Sequence, residues 1–254
     1  MAAIMQSLNS PGEEVTAALL VIGDEILSGR TKDKNTGFVA SHCTEIGIRL
    51  NEVRVVADDE AAIVAAVNAL REAYTYVFTT GGIGPTHDDI TADCIARAFG
   101  VSIDVDPRAV ALMRERYAEA DLTPTRLRMA RIPAGAALIE NEVSKAPGFM
   151  IGNVIVMAGV PAIMQAMLIA VTASLKTGAK LLSESIRVHA PEGKVAVPLA
   201  EAQRAFPDVA MGSYPFCEDR RHGTNLVLRS TDAARLARAK ADLIARLPPD
   251  TQCE

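Results

Sequence analysis

Residues 79–91, with the sequence TTGGIGPTHDDIT, constrain what this chain can fold into more than any other stretch. They follow a short strand-like run at residues 76–78 and precede a helix-like run. Glycines let the backbone adopt positive φ and approach a ligand closely. The free N–H groups and the positive dipole end of a helix attract phosphate. A strand, a glycine-rich turn and a helix start therefore predict an anion site, with backbone donors at Gly81, Gly82 and Gly84.

The acids that follow the glycines add a second requirement. Asp88 and Asp89 would repel a bare phosphate, but they suit a site in which a divalent cation lies between carboxylate and phosphate. Hydroxyl donors for the ligand are available at Thr79, Thr80, Thr86 and Thr91. The same residues also suit an ordinary turn followed by helix caps. The loop is neither a Walker A sequence nor a dinucleotide fingerprint, because the Gly-Lys-Ser/Thr and the third glycine are absent.

Composition favours an aliphatic core and does not exclude a small anionic ligand, since local donors matter more than net charge. The 254 residues are 49% hydrophobic but only 4% aromatic, with no tryptophan, which suits helices packed on a parallel sheet. The net charge of -5 argues against a nucleic-acid partner, which would favour a basic face. The four cysteines form no CxxC pair, so we expect reduced thiols rather than a zinc site.

No targeting or membrane segment is expected from the sequence. The first fifteen residues contain no Lys or Arg and no clean apolar core, so no signal peptide is evident. Residues 154–175 are uncharged, but Gly159 and Pro161 interrupt them, which favours a strand, a turn and a buried helix over a transmembrane helix. We therefore expect a cytoplasmic protein with no membrane partner.

Three predicted strands end in acids or glycines. Thr16–Ile22 is a continuous apolar run followed by Gly-Asp-Glu at residues 23–25, and a second strand within residues 48–57 is followed by Asp58. The third strand leads into the glycine loop. Helices alternate with these strands, which implies parallel crossovers and strand ends that meet at one edge of a sheet. Ligands bind at such an edge in open α/β sheets, so we expect Asp24, Asp58 and Asp89 to converge there.

The pattern changes near Gly178. We expect a loose tail at residues 1–15, a main domain at residues 16–178 and a small domain at residues 184–250. The main domain is predicted to have a central, mostly parallel sheet with helices on both faces. The small domain has the order βαββα, typical of an α+β unit, with a polar loop at residues 218–223 between its last two strands.

Several motifs together resemble a known family, the molybdopterin-binding (MoaB/Mog-like) domain. They are residues 22–29 (IGDEILSG), Asp33 with Asn35, Asp58 with Asp59, residues 80–86 (TGGIGPT) and residues 88–91 (DDIT). The nearest branch is the N-terminal region of the competence/damage-inducible protein A family, CinA. The N-terminal domain of eukaryotic FAD synthases is similar too. The resemblance covers residues 16–178, and residues 212–215 (GSYP) and 223–225 (GTN) extend it into the small domain.

The resemblance implies a three-layer α/β/α fold and a homo-oligomer. It implies two catalytic aspartates. One matches Asp89, and the other matches Asp58, or Asp59 if the register differs by one. CinA-type relatives are linked to metal-dependent hydrolysis of ADP-ribose and similar dinucleotide pyrophosphates. Full-length members also carry a C-terminal nicotinamide-mononucleotide deamidase domain, for which this chain is expected to be too short. The family commonly has Pro-Gly-x-Pro-x-Glu near the last helix, but Ala158 and Ile163 replace the first proline and the acid.

Three functions fit this pattern. The first is a metal-dependent hydrolase of nucleotide pyrophosphates, the second a molybdopterin binder or adenylyl-transfer enzyme, and the third a non-catalytic nucleotide-binding protein. The predicted catalytic residues are Asp89 and Asp58, and the predicted metal ligands, for Mg, Mn or Co, are Asp24, Asp58 and Asp89. The predicted ligands of the phosphorylated partner, a nucleotide pyrophosphate or a pterin phosphate, are Gly81, Gly82, Gly84, Thr86, Asp24, Asn35 and Lys145.

Overall fold

The computed structural model describes residues 14–218, 221–249 and 251. They divide into two compact units, Met1–Gly178 and Ala179–Glu254. Most of the predicted N-terminal tail lies outside the described residues. Val15, at the end of that tail, is buried, and its carbonyl accepts a hydrogen bond from the Arg49 N–H at 2.8 Å. Val15 therefore belongs to the folded part of the first unit, and its placement in a loose tail is wrong.

The first unit alternates strands and helices as far as its fourth strand and then adds short elements. The elements are β1 (Thr16–Ile22), α1 (Asp24–Leu27), α2 (Asn35–Glu45), β2 (Arg49–Val56), α3 (Glu60–Ala73), β3 (Tyr76–Thr80), α4 (Thr91–Phe99), β4 (Ile103–Val105), α5 (Pro107–Arg114), α6 (Pro124–Leu127), β5 (Arg131–Pro133), β6 (Ala137–Ile139), β7 (Gly148–Ile151), β8 (Val154–Met157) and α7 (Pro161–Thr172). Short 3-10 turns occupy Glu119–Asp121 and Arg128–Ala130.

A six-stranded sheet forms the centre of this unit, in the order β2-β1-β3-β8-β7-β6. The pairs β1–β2, β1–β3 and β3–β8 are parallel, whereas β7 pairs antiparallel with β8 and with β6. The predicted mostly parallel sheet is confirmed. Its parallel strands are connected through helices, so the carboxyl ends of β1, β2 and β3 share one edge.

Both faces of the sheet are covered, which explains the continuous apolar run of β1. One face packs against α3, α4 and α5 through a cluster that includes Leu20, Ile63 and Ile95. The other face packs against α2 and α7 through a cluster that includes Leu19 and Leu168. Alternate residues of a strand point to opposite faces, so neighbouring leucines in β1 enter different cores. The predicted three-layer α/β/α arrangement is confirmed.

Local signals set the ends of the helices. The Asp59 carboxylate caps α3 by accepting the Ala62 N–H at 2.9 Å. Asp58 therefore lies outside the helix, at the end of β2. Gly100 ends α4 in the left-handed conformation (φ 65°), where a side chain would be strained.

The second unit has the predicted βαββα order. It contains β9 (Leu182–Val188), α8 (Glu192–Ala205), β10 (Ala210–Glu218), β11 (Arg221–Ser230) and α9 (Ala233–Arg246), with the sheet order β10-β11-β9. The two helices cover one face of the sheet, around Ile186, Leu226 and Leu243. The predicted bounds of the polar loop, residues 218–223, are wrong, because Glu218 pairs with Arg221 and Cys217 pairs with His222 in the β10–β11 ladder; residues 219–220 lie outside the described residues.

Two further findings concern membrane-spanning helices and cysteine thiols. Within the described residues, no helix has the length and apolar character needed to cross a membrane. Cys43 and Cys94 are free and buried, and burial raises the pKa of both thiols to about 12. They are therefore protonated core residues rather than reactive thiolates.

Candidate functional site

The glycine loop leaves β3 in a backbone conformation that requires glycine. Gly81 has a φ of 103° and Gly82 a φ of 67°. A Cβ atom on Gly81 would lie 2.1 Å from the carbonyl oxygen of Ile22, and one on Gly82 would lie 2.1 Å from the Thr91 hydroxyl. Both the dihedral angles and the space therefore exclude other residues. The loop passes tightly over the end of β1, where the sequence predicts the site.

Thr91 holds the loop in this shape from the first turn of α4. Its hydroxyl donates to the Gly81 carbonyl at 3.0 Å, and its N–H donates to the Gly82 carbonyl at 2.9 Å. The residue is completely buried. The prediction that its hydroxyl contacts a ligand is therefore wrong, because that hydroxyl holds the conformation of the loop. Thr79 and Thr80 are also buried, and neither hydroxyl has a hydrogen-bond partner among the described residues.

The middle of the loop presents free backbone donors. The N–H groups of Gly82, Ile83 and Gly84 have no hydrogen-bond acceptor within the described part of the chain, and the three residues are half-exposed. By contrast, the Gly81 N–H donates to the Met157 carbonyl at 3.2 Å. Successive unpaired N–H groups at a turn form a concave site for an anion. The predicted phosphate-binding role of Gly82 and Gly84 thus has a geometric basis, whereas Gly81 shapes the loop.

Asp89 turns back onto the loop. Its carboxylate accepts a hydrogen bond from the Thr86 N–H at 2.8 Å and a second one from the Thr86 hydroxyl. Gly84 makes room for it, since a Cβ atom there would lie 2.6 Å from Asp89 Oδ2. The Arg128 guanidinium bonds to the carbonyls of Thr86 and Asp89 at 3.2 and 3.3 Å. A cavity beside Gly84 and Asp89 measures only about 10 Å³, so a ligand would have to bind on the open side of the loop.

The predicted convergence of Asp24 and Asp58 is present. Asp58 Oδ2 accepts the Asp24 N–H at 2.9 Å across the ends of β1 and β2. Partial burial raises the pKa of Asp58, and the nearby carboxylates of Asp24, Glu25 and Asp88 raise it further, against the opposing effect of the Asp24 hydrogen bond. Asp58 is therefore an acid whose charged form is destabilised by its surroundings.

The three predicted metal ligands do not form a ready metal site. In the described part of the chain, no group of three or more His, Cys, Asp or Glu side chains is arranged to hold a metal ion. The Asp89 carboxylate is engaged by Thr86, while Asp58 is engaged by the Asp24 N–H. The donor set of this conformation therefore does not fit a divalent cation, and the metal stays a prediction.

Asn35 connects the start of α2 to the loop after β8. Its Nδ2 donates to the Gly159 carbonyl at 2.8 Å, although the two residues are 124 positions apart. Gly159 in turn packs closely on Gly81, since a Cβ at position 159 would lie 3.3 Å from the Gly81 Cα. The Oδ1 of Asn35 is buried and has no hydrogen-bond partner in the described part of the chain. Asn35 thus supports the glycine loop from the α2 side; direct contact with a ligand stays a prediction.

Lys145 is engaged away from the glycine loop. Its ammonium lies 2.8 Å from Glu115 and 2.9 Å from Glu142, and these two carboxylates raise the pKa of Lys145. The structure shows no bond between Lys145 and the glycine loop. Ile163, at the position where the resemblance leads one to expect an acid, is partly buried against the α2–α7 core. In this conformation Lys145 therefore adds no positive charge to the glycine loop, and position 163 supplies no carboxylate.

Comparisons with known proteins agree with this division of the chain. Residues 18–177 match the family model described as "Probable molybdopterin binding domain". Residues 180–253 match the model described as "FAD synthase, middle domain". The first match contains all of the candidate site, and the second covers the small α+β unit.

Individual relatives are similar over part of their length. The protein Ta0487 of Thermoplasma acidophilum is 38% identical over 156 residues, which are 60% of this chain and 61% of that protein. A CinA-like protein of Anaeromyxobacter dehalogenans is 34% identical over 149 residues, or 56% of this chain and 36% of that protein. The crystal structure of the protein CinA with unknown function from Thermoplasma acidophilum superposes with a TM-score of 0.60 and 37% identity, covering 64% of this chain and 99% of that one.

The chain therefore spans less than two thirds of Ta0487 and about a third of the CinA-like protein. The family model nevertheless matches more than half of this chain, from the first strand to the end of the first unit. The protein therefore belongs to the family of molybdopterin-binding (MoaB/Mog-like) domain proteins and has CinA-like relatives.

Proposed function

We propose that the glycine loop binds the phosphate group of a small phosphorylated ligand. The observation that carries this proposal is the run of three free, half-exposed N–H groups at Gly82, Ile83 and Gly84. Backbone donors that are held in place bind an anion without the cost of ordering a flexible side chain. The positive end of α4 lies directly after the loop and adds to the attraction.

The ligand that best agrees with the family is a phosphorylated pterin of the molybdopterin type. The loop supplies donors for its phosphate, and the acids at the ends of β1 and β2 can accept hydrogen bonds from its pterin ring. Asp24 and Asp58 lie at this edge and present carboxylate oxygens. A homo-oligomer, as the resemblance implies, would bring such sites together in one particle.

Removing one loop donor should weaken phosphate binding. Replacing Ile83 with proline deletes the central N–H, while Ile83→Ala keeps it. We expect Ile83→Pro to weaken binding by about tenfold or more, because a charge-assisted hydrogen bond is lost and a phosphate oxygen is left unpaired. Isothermal titration with inorganic phosphate and a phosphorylated pterin measures the effect.

Ile83→Ala provides the matched control and should bind within about threefold of the parent protein, since its backbone N–H is unchanged. Circular dichroism and thermal melting establish that both variants are folded. Equal binding by a folded Ile83→Pro variant would contradict the loop assignment.

A second candidate function is hydrolysis of a nucleotide pyrophosphate of the ADP-ribose or FAD type. The observation that favours it is Asp58, whose pKa is raised by burial and by neighbouring carboxylates at a ligand-binding edge. A carboxylate with a raised pKa is a better proton acceptor for an attacking water near neutral pH. Perturbed acids of this kind are frequent in active sites but also occur in structural clusters.

Charge removal at two aspartates tests the hydrolase. Asp58→Asn and Asp89→Asn preserve size and can still accept the hydrogen bonds from Asp24 and Thr86. We expect each to lower the rate of hydrolysis by about 100-fold or more, because each removes a predicted catalytic carboxylate that accepts a proton from the attacking water. His87→Ala is the control, since that side chain is 99% exposed.

The rates are measured on ADP-ribose and FAD, with Mg, Mn or Co added and with a chelator. If both asparagine variants hydrolyse these substrates as fast as the parent, or the parent is inactive under every condition, the hydrolase candidate fails. The phosphate-binding proposal does not depend on that outcome.

A further inference from the structure

Arg128 reaches the glycine loop from a distant part of the first unit. It begins the 3-10 turn Arg128–Ala130, directly after α6. Its Nε donates to the Thr86 carbonyl at 3.2 Å and its Nη2 donates to the Asp89 carbonyl at 3.3 Å, although these residues are 42 and 39 positions away. One guanidinium group therefore bridges both ends of the turn at residues 86–89.

The turn at residues 86–89 decides where the Asp89 carboxylate points. Within it, the Asp89 N–H donates to the Thr86 carbonyl at 3.3 Å, and the Asp89 carboxylate accepts the Thr86 N–H at 2.8 Å. Ordering this mostly exposed turn costs conformational entropy, which its contacts have to offset. The planar fork of Arg128 adds two hydrogen bonds with fixed directions, so it stabilises this one conformation of the turn.

A carboxylate beside the loop competes with a ligand for the loop's donors. Asp89 Oδ2 lies close to Gly84, since a Cβ atom at that position would be 2.6 Å from it. If the turn moved, this oxygen could accept the unpaired N–H groups of the loop, because a carboxylate accepts such donors as a phosphate does. The hydrogen bonds of Arg128 to the turn therefore help to keep the loop open for an external anion.

The positive charge of Arg128 is not neutralised by a carboxylate. Its two acceptors are carbonyl oxygens, and among the residues that the structure describes it has no ion-pair partner. Arg131 shows the contrast, since its guanidinium lies 2.6 Å from the Asp93 carboxylate. The N–H groups of Arg128 that do not contact the turn likewise have no acceptor in the described part of the chain. Arg128 is therefore a fixed cation whose charge is available to a ligand.

Arg128 also lies beside the unpaired donors of the loop. It lines the same cavity of about 10 Å³ as Ile83, Gly84 and Asp89. A cavity of that size holds about one water molecule, so little space separates these residues. A phosphate on the N–H groups of Ile83 and Gly84 is repelled by the Asp89 carboxylate and attracted by the Arg128 guanidinium. Arg128 thus offsets the charge that makes this loop unfavourable for an anion.

We propose that Arg128 is a positioning residue of the phosphate site. Its two hydrogen bonds hold the turn at residues 86–89, which keeps the Asp89 carboxylate on Thr86 and away from the donors of the loop. Its charge offsets the repulsion between Asp89 and the bound phosphate. This inference rests on the proposed function, because the anion that Arg128 serves is the phosphate on the glycine loop.

Two variants of the full chain test the inference by calorimetric titration with inorganic phosphate. Arg128→Ala removes the bridge and the charge, so we expect phosphate to bind about tenfold or more weakly. The dependence of its affinity on salt should become shallower, because one cation of the site is absent. Arg128→Lys keeps the charge but donates from a single point. It should bind phosphate about fivefold more weakly, with the salt dependence of the parent.

Arg126→Ala is the matched control. Arg126 lies in the same segment and also donates to a backbone carbonyl, that of Asp121 at 2.7 Å. Within the described residues it has no hydrogen bond to the glycine loop. Its removal should leave the affinity for phosphate within about twofold of the parent.

Chemical rescue separates a positioning role from a general loss of structure. Guanidinium ion at a non-denaturing concentration can occupy the space that Arg128→Ala leaves, and we expect it to raise the phosphate affinity of that variant by about threefold or more. Sodium chloride at equal ionic strength should give no recovery. Thermal melting establishes that each variant is folded.

The outcomes separate this inference from the proposed function. If the parent protein does not bind phosphate, the proposed function fails and the inference fails with it. If the parent binds phosphate and a folded Arg128→Ala variant binds it equally well, only the inference is wrong. A weaker affinity with unchanged salt dependence and no rescue by guanidinium would also overturn it, because Arg128 would then only stabilise the fold. If the alanine variant does not fold, Arg128→Lys decides: weaker binding supports the inference, and an affinity equal to the parent's overturns it.

Discussion

Replacing Gly81 with alanine is expected to destabilise the first unit by about 3–5 kcal/mol and to abolish phosphate binding. Two costs combine at this position. The φ of 103° is strained for any residue with a side chain, and the new Cβ would lie 2.1 Å from the Ile22 carbonyl oxygen. That oxygen belongs to the backbone of β1 and cannot rotate away, so either the strand or the loop has to move. Urea denaturation and phosphate titration measure the two effects.

Gly100→Ala is the matched control for Gly81→Ala. It also has a positive φ, 65°, but a Cβ there meets no atom within 4 Å. Its cost should be that of the left-handed conformation alone, about 1–2 kcal/mol, with phosphate binding unchanged. If the two variants lower the free energy of unfolding equally, the clash between the new Cβ and the Ile22 carbonyl contributes nothing to that free energy.

Replacing Thr91 with valine is expected to have the second largest effect. Valine has nearly the same shape, but it cannot donate to the Gly81 carbonyl, which Thr91 contacts at 3.0 Å. A buried carbonyl without its donor costs about 1–3 kcal/mol, and the free energy of unfolding should fall by that amount. Phosphate affinity should fall as well, because the Gly81–Gly82 segment loses the contact that holds its shape.

Thr91→Ser separates the hydroxyl from the methyl group. Serine keeps the donor and loses only a buried methyl, which should cost about 1 kcal/mol with phosphate affinity largely retained. Urea denaturation of the two variants, followed by phosphate titration, gives the comparison. If the valine variant binds phosphate as tightly as the serine variant, the Thr91 hydroxyl does not hold the loop in its binding conformation.

The sequence was sufficient to locate the edge of the sheet where the site lies. The apolar run Thr16–Ile22, the strand before Asp58 and the glycine loop each carry a local signal. Parallel connections bring their ends together, and the 2.9 Å contact between Asp24 and Asp58 confirms that convergence. Short-range periodicity also predicted the βαββα order of the small unit.

The partners of individual side chains were not predictable in the same way. The sequence offers Thr91 as one of four hydroxyl donors for a ligand, but its side chain is buried and hydrogen-bonded to Gly81. Lys145 was predicted to bind the ligand, but its ammonium group pairs with Glu115 and Glu142. Local sequence reports exposure and secondary structure, but it does not report which of several equivalent polar groups lies within hydrogen-bond distance.

By itself, the sequence determined the layered α/β fold and the position of the glycine-rich loop, because both follow from local hydrophobic periodicity and from residues with special backbone freedom. Only the tertiary structure decided which backbone donors of that loop are free within the described residues. The contacts of Gly81 with Met157 and of Asn35 with Gly159 join segments more than seventy residues apart. They leave Gly82, Ile83 and Gly84 as the unpaired donors, and such long-range pairing depends on how the elements pack rather than on any local pattern.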